Sequence, residues 1–202
     1  MNIQRGLLLA SALLASYSLA NPQAEPSLPA WQDPTVFRIN KLPSRSFFYS
    51  YRNAEELNIT SPFNSSNHLL LNGEWQFNWV EQPNDRTSGF ERSDFDDSGW
   101  DTIPVPANWE INGYGIPYYH SHNCFAPNIT PPELPQTYNP VGQYRKQFTL
   151  PDDWQNERVV AHFGAVKSAF YVYVNGERVG YSEDSKTQAE FDISEYLQAG
   201  EN

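Results

Sequence analysis

Residues 169–181 read AFYVYVNGERVGY. Two runs rich in aromatic and β-branched residues flank Asn175–Gly176, the pair that most readily takes the positive φ angles of a two-residue hairpin turn. A hairpin is therefore expected, with Ala169 to Val174 as one arm and Arg178 to Tyr181 as the other. Val159 to Phe163 reads as a strand before it, and Phe191 to Ile193 as a short one after it. Ser194 to Leu197 reads as a helical turn, capped by Ser194 and ended near Gly200.

Upstream, the period-two pattern returns. Trp75, Phe77 and Trp79 alternate with Glu74, Gln76 and Asn78, which puts three large rings on one face of a strand. Asn72–Gly73 just before them reads as a tight turn. Ile103-Pro-Val-Pro106 cannot be a central strand, because two prolines remove ladder donors, so it is an edge or a bulge. Tyr144, Phe148 and Leu150 mark a further alternating strand. Residues 21–68 form an extended lead broken by Pro and Asn, with a single helical turn at Asn53 to Leu57. That lead carries Trp31, Phe37, Phe47, Phe48, Tyr49 and Tyr51, and is expected to lie across a surface with its rings docked there. Short strands joined by Gly, Pro and Asn turns define an all-β class, a jelly-roll-like antiparallel β-sandwich over residues 69–202. The chain closes on Ala199-Gly-Glu-Asn202, turn chemistry that should lead into another strand, so the sandwich is expected to be truncated at its C-terminal edge.

Composition narrows the function. The 202 residues hold 13 Lys and Arg against 24 Asp and Glu, a formal charge of −11. Nucleic-acid binding is therefore not expected, since that affinity comes from Lys and Arg displacing counterions. Aromatics at 15% argue against disorder. A lone Cys124 excludes a disulfide framework within the chain and any multi-cysteine zinc or iron–sulfur site. Residues 1–20 have the form of a secretory signal: Arg5, an apolar run from Gly6 to Leu14, then Ser18 and Ala20 before a cleavage site. That run is too short to span a bilayer, and no other stretch is apolar enough to do so, so no membrane association is expected after cleavage. A periplasmic or extracellular destination is expected. Sequons stand at Asn58, Asn64 and Asn128, of use only to a glycosylating host.

Several motifs, taken in order, resemble one family. Leu71-Asn-Gly-Glu-Trp75, Phe95-Asp-Asp-Ser-Gly-Trp100, Ile103-Pro-Val-Pro-Ala-Asn-Trp109 and Gly113–Tyr114 resemble the N-terminal sugar-binding domain of glycoside hydrolase family 2. Asn139-Pro-Val-Gly142, Val174-Asn-Gly176, Val179-Gly-Tyr181 and Glu190-Phe-Asp192 continue it, in the manner of the large β-galactosidases rather than the glucuronidase or mannosidase branches. The resemblance implies a galactose-binding-domain-like first domain, followed in the family by an immunoglobulin-like domain and a (β/α)₈ barrel. It implies retaining hydrolysis of terminal β-D-galactose by two barrel Glu residues, carboxyls about 5–5.5 Å apart. Magnesium and sodium are implied for the full-length enzyme, with ligands beyond Asn202; none is implied for this segment, which alone should be inactive. The remaining domains, a β-galactoside substrate and further copies of the enzyme are the implied partners.

Within the segment the resemblance singles out Asn139, whose amide would reach a galactose hydroxyl as both donor and acceptor. The plainer alternative is a turn Asn before Pro140. Trp109, beside Gly113 and Tyr114, is the indole best placed to stack on a sugar, although buried packing is the commoner fate of Trp. His120, His122 and Cys124 would share a face only on a strand, and Pro117 and Pro127 favour a loop there. Asp96–Asp97, Asp152–Asp153 and Glu183–Asp184 are adjacent pairs that point apart on a strand, poor acid/base couples. Walker, Gly-x-Gly-x-x-Gly, His-Glu-x-x-His and Gly-x-Ser-x-Gly motifs do not occur. Three readings stay open: the first domain of a secreted β-galactosidase, a stand-alone carbohydrate-binding sandwich, and an assembly segment acting through the aromatic lead.

Overall fold

At Asn175 and Gly176 φ is 50° and 90°, left-handed at both, and the chain reverses there between β6 (Ala169–Val174) and β7 (Glu177–Glu183). The computed structural model describes residues 28–58, 61–117, 133–135 and 138–202. The proposed signal at 1–20, the metal-like trio His120, His122 and Cys124, and the Asn128 sequon lie outside the described residues. Among those described there is no α-helix, only strands and short 3₁₀ turns, and the strand pairs are antiparallel.

The hairpin pairing skips one residue. Val172 faces Gly180 and Tyr173 faces Arg178, leaving Val179 as a bulge. The skipped valine turns inward and joins Val172, Ala189, Phe191 and Ile193 in the main core. Its carbonyl, freed from the ladder, accepts a hydrogen bond from Asn40 Nδ2 at 2.9 Å. Asn40 reaches it from the end of β1 (Arg38–Ile39), which completes a three-stranded sheet in the order β1-β7-β6. The second layer is β5 (Val160–Phe163) paired with β8 (Ala189–Asp192), and its Phe191 meets Phe170 with ring centres 6.0 Å apart. Gly180 sits where the layers come closest. A Cβ there would lie 2.5 Å from the Ile39 carbonyl oxygen and 2.6 Å from the Phe191 ring.

A further sheet runs in the order β3-β2-β4, with β2 (Gly73–Val80) between β3 (Asp101–Val105) and β4 (Val141–Arg145). Register puts Ile103, Gly142 and Tyr144 opposite Trp75, Trp79 and Phe77, so one face is aromatic. The other face is polar, with Gln76 Oε1 buried and without a hydrogen-bond partner among the described residues. Buried Gln143 accepts from Asn78 Nδ2 and the Thr87 N–H, both at 2.9 Å, and donates to the Thr87 carbonyl at 3.0 Å. Arg145 bonds the Asp97 carboxylate at 2.7 Å and the Phe90 and Arg92 carbonyls. Phe90 in turn packs on Tyr173 of the hairpin, so the loop from Arg86 to Asp97 joins the two parts of the structure.

Several sequence expectations are corrected here. Asn72–Gly73 is no hairpin turn: Gly73, at φ 126°, is the first residue of β2 and faces Val105. Ser194 does not cap the turn Ser194–Tyr196. Its hydroxyl and N–H both go to Asp192, and Ile193 holds the cap position. The strand expected through Leu150 stops at Arg145, and Thr149 instead bridges Glu201 while Phe148 and Asn202 exchange two backbone bonds. Two other expectations hold. The turn at Ala54–Asn58 forms, with Asn53 Oδ1 accepting from the Glu55 and Glu56 amides. Pro104 lies on β3, an edge strand of its sheet, where the missing donor disrupts no central ladder.

The lead lies across the sandwich, held by polar groups as well as by rings. The Leu42 amide donates to the Glu190 carbonyl, Arg45 pairs with the buried Glu190 carboxylate at 2.8 Å, and His162 Nδ1 lies 3.1 Å from the same oxygen. Phe47 packs on His162, whereas Phe37 and Phe48 stay 59% and 62% exposed. The expectation of a uniformly docked aromatic strip therefore fails for those two rings. Gly180→Ala is expected to lower unfolding free energy by about 2–3 kcal/mol in a urea titration, since neither the backbone oxygen nor Phe191 can give way freely. Gly164→Ala, where nothing lies within 4 Å of the added methyl, should change it by less than about 1 kcal/mol.

Candidate functional site

The Asn-Pro-x-Gly stretch lies where β4 begins. Pro140 imposes an extended backbone on Asn139, and Val141 then pairs with Val80 at the far end of β2. Asn139 is half-buried there. Three residues further on, Gly142 leaves room that three rings fill. A Cβ at 142 would lie 2.8 Å from atoms of Phe77, Trp109 and Tyr144 alike. The glycine of the motif is thus needed for packing, and it seats Trp109 directly against the strand that Asn139 leads into.

Trp109 is delivered by the 3₁₀ turn Trp109–Asn112. Gly113 ends the turn at φ 94°, a left-handed value that suits glycine. The turn returns Tyr114 to the sheet, where its ring meets Phe77 edge-on at 4.8 Å and its hydroxyl donates to Asp101 Oδ2 at 2.8 Å. Burial, then that bond, raises the Tyr114 phenol above its ordinary range. Burial and the nearby Glu110 charge push Tyr144 up to about 12. Both phenols therefore stay protonated in any physiological medium. The cluster thus offers neutral phenols and aromatic faces beside the carboxylates of Asp101 and Glu110. Trp109 is half-buried against Phe77 and Gly142, so part of its indole serves the core.

Gly115, at φ 68°, closes the far side. The place its Cβ would occupy is 3.3 Å from both Trp79 Cζ2 and the Tyr138 hydroxyl. The Trp79 indole N–H is buried with no hydrogen-bond partner among the described residues. Tyr138 itself has φ 50°. Nothing in the sequence points to Tyr138, to Gly115 or to the packing role of Gly142, because each acts by a close approach between distant segments.

The other candidates resolve into structural duties. Asp97 pairs with Arg145, Asp96 accepts from the Ser98 amide, and Asp153 pairs with Arg52. Glu183 accepts from the Tyr181 hydroxyl at 2.6 Å and Asp184 from the Thr187 hydroxyl at 2.5 Å. No group of three or more His, Cys, Asp or Glu side chains is gathered to hold a metal among the described residues. Two open clefts of about 440 Å³ each lie elsewhere, one beside Trp154 and Leu197, the other beside Arg38 and Asp184. Neither is lined by Asn139 or Trp109.

Residues 69–202 match the family model described as glycosyl hydrolases family 2, sugar binding domain, and the chain belongs to that family. It is 41% identical over 180 residues to a β-galactosidase of Priestia megaterium, covering 86% of this chain and 17% of that protein. A β-galactosidase of Halalkalibacterium halodurans is 42% identical over 176 residues, 85% of this chain and 17% of its own length. The chain therefore spans about a sixth of these curated relatives. Among solved structures, a β-glucuronidase of Bacteroides uniformis aligns over 66% of this chain and 13% of its own, at 21% identity and a TM-score of 0.46.

The packing around Gly142 yields a direct test. Gly142→Ala should cost about 2–3 kcal/mol of stability by overfilling the space shared by three rings. In circular dichroism the aromatic near-ultraviolet signal should change while the far-ultraviolet strand signal persists.

Proposed function

We propose that this chain is the amino-terminal sugar-binding domain of a β-galactosidase, and that Asn139 contacts the galactosyl group of the substrate. The observation that carries this reading is the identity of about 40% to curated β-galactosidases across most of the chain, with the Asn-Pro-x-Gly stretch at the edge of an aromatic face. Asn139 is half-buried and lines neither of the two clefts, which fits a domain that lends one amide to a site completed elsewhere. Trp109 would flank the same sugar with the part of its indole that the core leaves free. Retaining hydrolysis needs two carboxyl groups about 5–5.5 Å apart, and this reading assigns them, with the magnesium and sodium ligands, to later domains. The 202 residues alone are then inactive. Residues 1–20 carry the charge, apolar run and small-residue site of an export signal, which supports a periplasmic or extracellular enzyme.

A second reading is favoured by one observation. Phe37, Phe48 and Leu57 of the lead are more than half exposed, which suits a segment that seats against another copy of the enzyme. Both readings hold together, since they use different surfaces.

Asn139→Ala in the complete gene product tests the first. Losing one or two sugar hydrogen bonds of about 1–1.5 kcal/mol in total should raise KM for o-nitrophenyl β-D-galactoside roughly tenfold, with the melting temperature unchanged. Absence of β-galactoside hydrolysis in the parent protein would sink the enzyme reading, and an unchanged KM would remove Asn139 from the site.

A further inference from the structure

Five non-glycine residues have left-handed φ among those described: Asn40, Tyr138, Asn156, Asn175 and Asp184. Four are Asn or Asp, whose short polar side chains suit that conformation. Tyr138 is the bulky exception, and it directly precedes Asn139. We infer that Tyr138 is a positioning residue for Asn139, anchored by its phenol over Gly115 beside the Trp79 indole. The inference rests on the reading of Asn139 given above.

The geometry supplies the anchor. The Tyr138 hydroxyl and Trp79 Cζ2 both lie 3.3 Å from the place a Cβ of residue 115 would take. A side chain at 115 would crowd both, so the glycine makes a slot for the phenol. Gly115 keeps its own left-handed φ of 68° at no steric cost. The Trp79 indole N–H in the same wall is buried and unpaired among the described residues, an arrangement that ordinary core packing avoids. Strain of this kind persists where the surroundings over-determine it, and it concentrates at binding sites.

The consequence falls on Asn139. On one side its backbone follows a residue held by the Gly115 slot. On the other, Pro140 favours the extended form, and Val141 enters the β2 pairing at once. The backbone that carries the amide is therefore fixed before any sugar arrives, which reduces the ordering that binding would otherwise require. A tyrosine that merely filled space would need no left-handed backbone.

A double-mutant cycle separates positioning from general packing. Calorimetry with isopropyl β-D-thiogalactoside on the complete gene product reads the binding step without turnover. Tyr138→Asn keeps a residue type that accepts the left-handed backbone but removes the ring. It should weaken binding about tenfold in the parent and less than twofold in the Asn139→Ala background. Tyr138→Phe, which retains the ring, should bind within about twofold of the parent. Gly115→Ala leaves Tyr138 in place while crowding its hydroxyl, and carries the same test should Tyr138→Asn lose its fold. Equal losses in both backgrounds, or no loss in the parent, would overturn the inference while leaving the role of Asn139 intact. If Asn139→Ala binds like the parent, the substrate role and this inference fall together.

Discussion

Three aromatic rings converge on a residue without a side chain, and the candidate site is arranged around that point. Phe77 rises from the central strand, Tyr144 from its neighbour and Trp109 from a separate turn, and all three reach the space beside Gly142. Any larger residue would separate β4 from the turn that carries Trp109. Asn139 lies three residues before Gly142, just ahead of the strand that this contact fixes. On the polar face behind it, Gln143 has its amide oxygen and nitrogen engaged, and Arg145 holds the loop that reaches the hairpin.

The second constraint is the crossing at Gly180. The β1 backbone and the Phe191 ring both approach closer there than a methyl group would allow. Beside this crossing, a strand of only two residues joins the lead to the sheet. The bulge at Val179 contributes by freeing a carbonyl that Asn40 takes up. The buried Glu190 carboxylate adds a charge-assisted link, bonded to Arg45 of the lead and facing His162. Burying such a carboxylate without partners would be costly, so Arg45 is as much a requirement of the core as a fastener of the lead.

The strands are legible in the sequence wherever alternation or Asn–Gly chemistry is local. Asn175–Gly176 and the ring face at Trp75, Phe77 and Trp79 need only their own neighbours to be read. Asn72–Gly73 shows the limit of that logic. The same dipeptide opens a strand there, because pairing with Val105 outweighs the turn preference. The exposure of Phe37 and Phe48 is likewise hidden from the sequence, since hydrophobicity says that a ring can dock but not that a surface awaits it. At the site, family motifs bring out Asn139 and Trp109. Tyr138 gives no signal, because a left-handed tyrosine is set by Gly115 and Trp79, 23 and 59 positions earlier in the numbering.

The lead also sets an order of events in time. Asn40 and the Val179 carbonyl that it caps are 139 residues apart in the chain. At roughly 5–20 residues per second, a ribosome would need on the order of ten seconds to make the partner after making the lead. During that interval β1 has no sheet to join, and Arg45 has no carboxylate to meet. Closing so long a loop is also entropically unfavourable until the two layers have formed. The first part of this domain to be synthesised is thus among the last to find its place, and its phenylalanines are open to other contacts in the meantime.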